Sequence, residues 1–153
     1  MNTTENLTLD ELVKQNYEIN DKRRKVFKQL RERVKTELLP TLVTVLQQSD
    51  KTQTYLKLEN NPFYYDRASF DEYDYYYVMY VTENNELIEG YTEYNERMQT
   101  VVRKCKYATI RTFDDVEDMN SNAVLELCDV IKRKIANLNK QLDAKNKIAE
   151  NNL

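Results

Sequence analysis

Eight bases fall between residues 22 and 35: Lys22, Arg23, Arg24, Lys25, Lys28, Arg31, Arg33 and Lys35, with Glu32 the one acid among them. Bases at this density can grip phosphates, because each neutralised phosphate releases a counterion. Lys22, Arg23, Arg24, Lys25, Lys28 and Arg31 are therefore candidate nucleic-acid-binding residues. The plainer reading is a solvated helix face, ion-paired with acidic surface of the same chain or of a partner. That reading is favoured by a formal net charge of −3, since dedicated nucleic-acid binders are strongly basic.

A second group has the opposite sign. Tyr64, Tyr65 and Asp66 are followed by Asp71, Glu72, Tyr73, Asp74, Tyr75 and Tyr77, within a stretch that holds ten of the twelve tyrosines, Tyr55 to Tyr94. Tyrosine offers a large contact area at small entropic cost, and interleaved carboxylates select a basic partner. These nine residues are the expected protein-binding site. The plainer alternative is ordinary sheet aromatics, half of them facing inward.

Catalytic chemistry has little to draw on. The chain has no His and a single Gly. That excludes imidazole catalysis, His metal ligation and glycine-rich phosphate loops. A Ser or Cys nucleophile would lack its usual base. Cys105 lies between Lys104 and Lys106, which could depress its pKa, but on an apolar stripe it reads as core. Asp114, Asp115, Glu117 and Asp118 could offer oxygen ligands to a divalent cation. They lack the spacing of a calcium loop and read as a polar turn before a helix, where acids favour the positive end of the dipole. No enzyme activity, cofactor or metal is expected.

The elements that would hold these groups follow from periodicity. From Thr8 or Asp10 as N-cap, Leu12, Ile19 and Val26 recur every seven residues, and Leu30, Val34 and Leu38 continue at four. This predicts a helix over 9–48 with a break or kink near Leu39, since Pro40 disfavours helical geometry before it. Near the other end, Val124, Cys128, Ile131, Ile135, Leu138 and Leu142 are spaced 4, 3, 4, 3, 4. That is a heptad seam, predicting a helix over 120–149 capped by Asn120 or Ser121. Val124, Ile131, Ile135, Leu138 and Leu142 are its candidate self-association residues. Between the helices, Tyr75 to Thr82 is dense in strand formers, and Glu83-Asn84-Asn85 is a turn cluster leading to a return strand. Residues 55–58 and 107–113 are flanking strand candidates. A rival helical spacing runs through Leu87, Tyr91, Tyr94, Met98 and Cys105, so 92–106 is open between helix and strand.

The expected fold is α+β in one domain. Long N- and C-terminal helices pack as an antiparallel pair, with a small antiparallel sheet from the middle segment, 52–113. Apolar residues make up 41% and charged residues 32%, which suits an elongated shape with a thin core. No run of apolar residues is long enough for a membrane span. Residues 1–5 do not resemble a signal peptide, so an intracellular, cytoplasmic or nuclear location is expected, with the two cysteines reduced. The bias toward Asn, Lys, Tyr, Glu and Asp points to an AT-rich genome, as in viruses, phages and some protists.

The leading expectation is a non-enzymatic protein-interaction protein, an inhibitor or adaptor of viral or phage type. It would bind a basic host surface through its acidic tyrosine-rich middle. The alternatives are nucleic-acid binding by the basic helix and a coiled-coil structural subunit that self-associates through the C-terminal helix.

Overall fold

A computed structural model describes residues 6–60, 62–63, 75–93 and 106–153, with the backbone alone at 75–76, 91–93 and 106–107. It has α+β architecture with a long helix at each end and a four-stranded antiparallel sheet between them. Helix α1 (Leu9–Arg33) leads through a single π-helical stretch (Val34–Leu38) into α2 (Leu39–Gln48). Strands β1 (Gln53–Leu56), β2 (Tyr75–Thr82), β3 (Glu86–Glu93) and β4 (Lys106–Thr112) follow. A 3-10 turn (Phe113–Asp118) then leads to α3 (Ser121–Glu150). The open choice at 92–106 resolves to strand at 92–93 and at 106; residues 94–105 lie outside the described part. Among the described residues, no helix is long and apolar enough to cross a membrane.

The helix start and stop signals act locally. The Thr8 hydroxyl accepts the Glu11 N–H at 3.2 Å, and the Asn120 side chain accepts the Ala123 N–H at 2.9 Å. Each satisfies one orphan donor of a first turn. Helix α2 ends with Asp50 in the left-handed region, φ 54°. There the Lys51 N–H reaches the Leu46 carbonyl and the Asp50 N–H the Gln47 carbonyl, the paired bonds of a Schellman cap.

The helix is not broken at Leu39; the irregularity expected there takes the form of the π-helical stretch. Proline cannot donate an N–H, and in α geometry its ring would collide with the carbonyl four residues back. The helix instead widens by one residue just before Pro40, and the Leu39 N–H donates to the Val34 carbonyl. The hydrogen-bonded helix therefore continues through the proline. The Thr36 and Thr44 hydroxyls donate back to the Glu32 and Pro40 carbonyls, at 2.8 and 3.1 Å.

The sheet order is β1-β2-β3-β4, every pair antiparallel. The β2–β3 hairpin turns at Glu83-Asn84-Asn85, with Asn85 at φ 62°, a conformation that Asn tolerates. Alternation sorts the faces. Leu56, Met79, Val81 and Leu87 join Leu39, Leu42, Leu46, Leu127 and Ile131 in the main core. Val78, Tyr80 and Ile88 lie on the other face with Tyr55.

The terminal helices do not form the expected antiparallel pair; their contacts run in the same sense. Arg31 donates to the Met119 carbonyl at 2.9 Å and lies 3.5 Å from the Ser121 hydroxyl, at the start of α3. Past the end of α2, Lys51 lies close enough to Lys134 of α3 to help lower its pKa. The cause is the strand order. Helix α2 delivers the chain to β1 at one sheet edge, and the chain leaves from β4 at the other. To return across the same apolar face, α3 must travel from the β4 side to the β1 side, as α2 does.

Parallel travel with this offset leaves two overhangs. None of the 25 residues of α1 is buried. Beyond Leu138, every residue of α3 is exposed except half-buried Leu142. Stability is therefore concentrated where α2 and the first half of α3 cross the sheet. Leu46→Ala should cost about 2–5 kcal/mol, whereas Ile148→Ala on the overhang should change stability by no more than about 0.5 kcal/mol. Urea denaturation of the two variants measures the contrast.

Candidate functional site

The overhang of α1 carries side chains that a lone solvated helix has no use for. Leu9, Val13, Tyr17, Ile19 and Val26 are all exposed, Leu9 by 74% and Ile19 by 59%. With Leu12 and Leu30, the residues Leu9, Leu12, Asn16, Ile19, Arg23, Val26 and Leu30 are spaced 3, 4, 3, 4, 3, 4. That is the repeat of a helix-pairing seam. Leu12, Ile19 and Val26 carry a repeat visible in the sequence, where it suggests packing against the C-terminal helix. In the fold, α3 begins only at the foot of α1, and among the described residues Leu30 is the seam residue that packs against the main core.

The second heptad seam has the opposite fate. Val124, Ile131 and Leu138 are buried in the chain's own core, and Ile135 and Leu142 pack against it half-buried. The residues read from the sequence as a self-association surface are thus taken up within one chain. A heptad records that a face is covered and does not say by which helix.

The basic residues gather at the foot of α1. A cleft of about 1060 Å³ is lined there by Arg23, Arg24, Phe27, Lys28, Arg31 and Ser121, among others. The guanidinium carbons of Arg23 and Arg31 lie 5.0 and 5.8 Å from the Phe27 ring centroid, within the range of cation–π attraction. Arg24 and Lys25 pair with Asp21 at 3.4 and 3.1 Å on the open surface, where such pairs are weak. Lys22, Lys25 and Lys28 are exposed. Arg31 has a half-buried position and is committed to Met119, with its Nε buried and unpaired. It therefore acts first as a clasp between α1 and α3.

Lys35 stands apart from the other bases. It meets Glu117 at 2.7 Å and both Glu32 and Asp114 at 3.5 Å. The bond to Glu117 holds the Lys35 ammonium above its usual range and the Glu117 carboxyl below its own. Three acids of the run are thereby occupied: Asp115 accepts the Thr112 N–H at 2.9 Å, and Glu117 and Asp114 face Lys35. Among the described residues no group of acids, thiols or imidazoles converges as a metal site would.

Most of the acidic tyrosine site lies outside the described residues: Tyr64, Tyr65, Asp66, Asp71, Glu72, Tyr73 and Asp74. Tyr75 is described as backbone in β2. Tyr77 lies on the helix-covered side of β2. It is half-buried against the main core, and its hydroxyl donates to Glu89 Oε2 at 2.5 Å.

Glu89 is the group that sequence reasoning missed. It is 0% exposed on the helix-covered face of β3, where Arg111 of β4 donates to its other oxygen. The Arg111 guanidinium in turn lies 4.0 Å from the Phe63 ring centroid. The available signal was the inward alternation Leu87, Glu89, which sets a carboxylate at a core position and demands a cation beside it. This closed cluster reads as a structural lock between β2, β3, β4 and the segment ending at Phe63. Cys128, by contrast, is a plain core thiol, its pKa pushed up chiefly by burial.

Away from these groups, a smaller cleft of about 400 Å³ lies between Tyr55, Lys57, Glu126 and Lys134. Its wall is held by the Glu126 carboxylate, which accepts the N–H groups of Glu59 and Asn60 at 2.9 to 3.0 Å. Burial, aided by Lys51, lowers the Lys134 pKa.

Two outcomes test these assignments. Arg111→Ala leaves Glu89 buried without its cation and should destabilise the fold by about 3–5 kcal/mol, measured by urea denaturation. The second concerns pH. Because Glu117 has its pKa lowered on folding, its contribution is fully present above the ordinary carboxyl value of 4.5. It is lost as pH falls through the folded value. Wild-type stability should therefore drop more steeply below that pH than the stability of Lys35→Met. No known protein family matches this chain, and neither a curated protein nor a solved structure shows significant similarity to it.

Proposed function

We propose that this chain is a non-enzymatic protein-interaction subunit: an α+β head whose α1 overhang docks against a helix of a protein partner. The observation that carries the reading is the apolar seam of α1, set out on a helix with no buried residue. A helix of this length gains little stability from hydrogen bonding alone in water; helices in proteins are stabilised chiefly by packing an apolar face. Each large aliphatic side chain left in water forgoes about 1.5–3 kcal/mol, and Leu9, Ile19 and Val26 are all in that position on one arm. A partner helix laid along the seam would supply the missing contact.

This reading moves the interaction site from the acidic tyrosine block to the N-terminal arm. The block's residues are largely outside the described part, and Tyr77 is engaged with Glu89. The inhibitor or adaptor role, and a viral or phage origin, find no support beyond composition. The buried Glu89 carboxylate is bonded to Arg111 and Tyr77, which supports a structural role for this cluster. Nucleic acid remains the alternative occupant, favoured by the basic cleft at the foot of the arm.

The test is native mass measurement of the protein recovered from its source, alongside an Ile19→Asp, Val26→Asp variant. The wild type should appear in an assembly heavier than its own 18.4 kDa. The folded variant should appear alone. A wild-type chain found alone sinks the reading. An assembly that holds nucleic acid, survives the seam changes and is lost on changing Arg23, Arg24 and Lys28 to Ala transfers the function to the alternative.

A further inference from the structure

We infer that the helix that covers the α1 seam is α1 of a second copy, running antiparallel. The inference rests on the docking-arm reading and names its partner. Charge changes sign along the arm. Residues 9–21 carry four acids and one base, whereas residues 22–33 carry seven bases and one acid. The charged residues also flank the seam in an ordered way. On the helix, Glu11, Glu18, Lys22 and Lys25 fall along one flank of the line Leu9, Leu12, Asn16, Ile19, Arg23, Val26, Leu30. Asp10, Tyr17 and Arg24 fall along the other.

In a two-fold antiparallel pair each flank meets the same flank of the other copy, end for end. Glu11 and Glu18 of one copy then lie alongside the partner's Lys25 and Lys22. A parallel pair would bring the acidic halves of the two arms together and the basic halves together, at a cost in repulsion.

The apolar layers agree with this register. With Ile19 at the two-fold axis, Leu12 faces the partner's Val26 and Leu9 reaches the level of the partner's Leu30. Asn16 comes level with the partner's Arg23, where its side-chain carbonyl can accept from the guanidinium. This gives a use for the two polar residues of the seam, since polar groups within a helix seam set register and orientation.

The fold leaves room for the pairing. The arm from Leu9 to Gln29 is about 31 Å long at 1.5 Å per residue, and antiparallel pairing sets the two heads at opposite ends of it. Each arm tip then arrives at the foot of the other arm, where the cleft of about 1060 Å³ lined by Phe27, Arg31 and Ser121 is found. That cleft is rich in bases, and the arriving tip carries Asp10 and Glu11.

The experiment is sedimentation equilibrium of the full chain, purified without other components, across micromolar concentrations. The wild type should show twice the mass of 18.4 kDa, with weaker association in added salt. Ile19→Asp should raise the dissociation constant by about a hundredfold or more. Glu11→Lys with Glu18→Lys, and separately Lys22→Glu with Lys25→Glu, should each weaken self-association, and an equimolar mixture of the two should restore it. All these positions are exposed, and circular dichroism of each variant verifies the head. A wild type that stays monomeric overturns the inference, as does a dimer indifferent to Ile19→Asp. A mixture no tighter than its separate components overturns the antiparallel register. A chain that is monomeric alone, yet joins other proteins from its source in an Ile19-dependent way, overturns self-pairing while leaving the docking arm in place.

Discussion

One apolar sheet face has to be covered by two helices that reach it from opposite ends of the chain. The strand order β1-β2-β3-β4 brings the chain in at one edge and out at the other. Once Leu56, Met79, Val81 and Leu87 face the same side, both helices must cross that side. The geometry of entry and exit makes them cross in the same sense. The two overhangs are a consequence: α1 extends past the start of α3, and α3 extends past the end of α2.

The polar groups that hold this arrangement sit where the crossing elements meet. Arg31 ties α1 to the start of α3 through the Met119 carbonyl. Lys35 ties the π-helical stretch to the 3-10 turn through Glu117. Glu89 gathers Tyr77 and Arg111 inside the sheet, with Phe63 against the guanidinium. A buried carboxylate is no gift to stability in itself, because its desolvation offsets much of its attraction to a cation. Its consequence is specificity of register, since a slip of one residue would turn Glu89 to the opposite face.

The continuous helix through Pro40 connects the core to the arm. Had the chain broken at Leu39, the direction of α1 would be free of the sheet. The π-helical widening at Val34–Leu38 removes the clash and lets α2, anchored by Leu39, Leu42 and Leu46, set the axis of everything before it. The arm is therefore held in direction by a packed core while presenting its seam to solvent.

The kinds of element were written in the amino-acid order. Thr8 and Asn120 marked helix starts, the heptads marked helix faces, and Tyr75 to Thr82 with its Asn-rich turn marked a hairpin, because caps, turns and periodicity act over a few residues. What the residue order left undecided was every choice between distant segments. Val124, Ile131 and Leu138 looked like a surface for another chain and belong to the core. Ile19 and Val26 looked like core and are exposed, and Leu12 of the same repeat is half-buried. Glu89 looked like one acid among many and is the most enclosed charge among the described residues. The same local pattern serves either outcome, because an apolar stripe states only that it must be covered. Which body covers it depends on the sense and offset of the crossing helices, and that was set by the strand order of a sheet whose pairings span tens of residues.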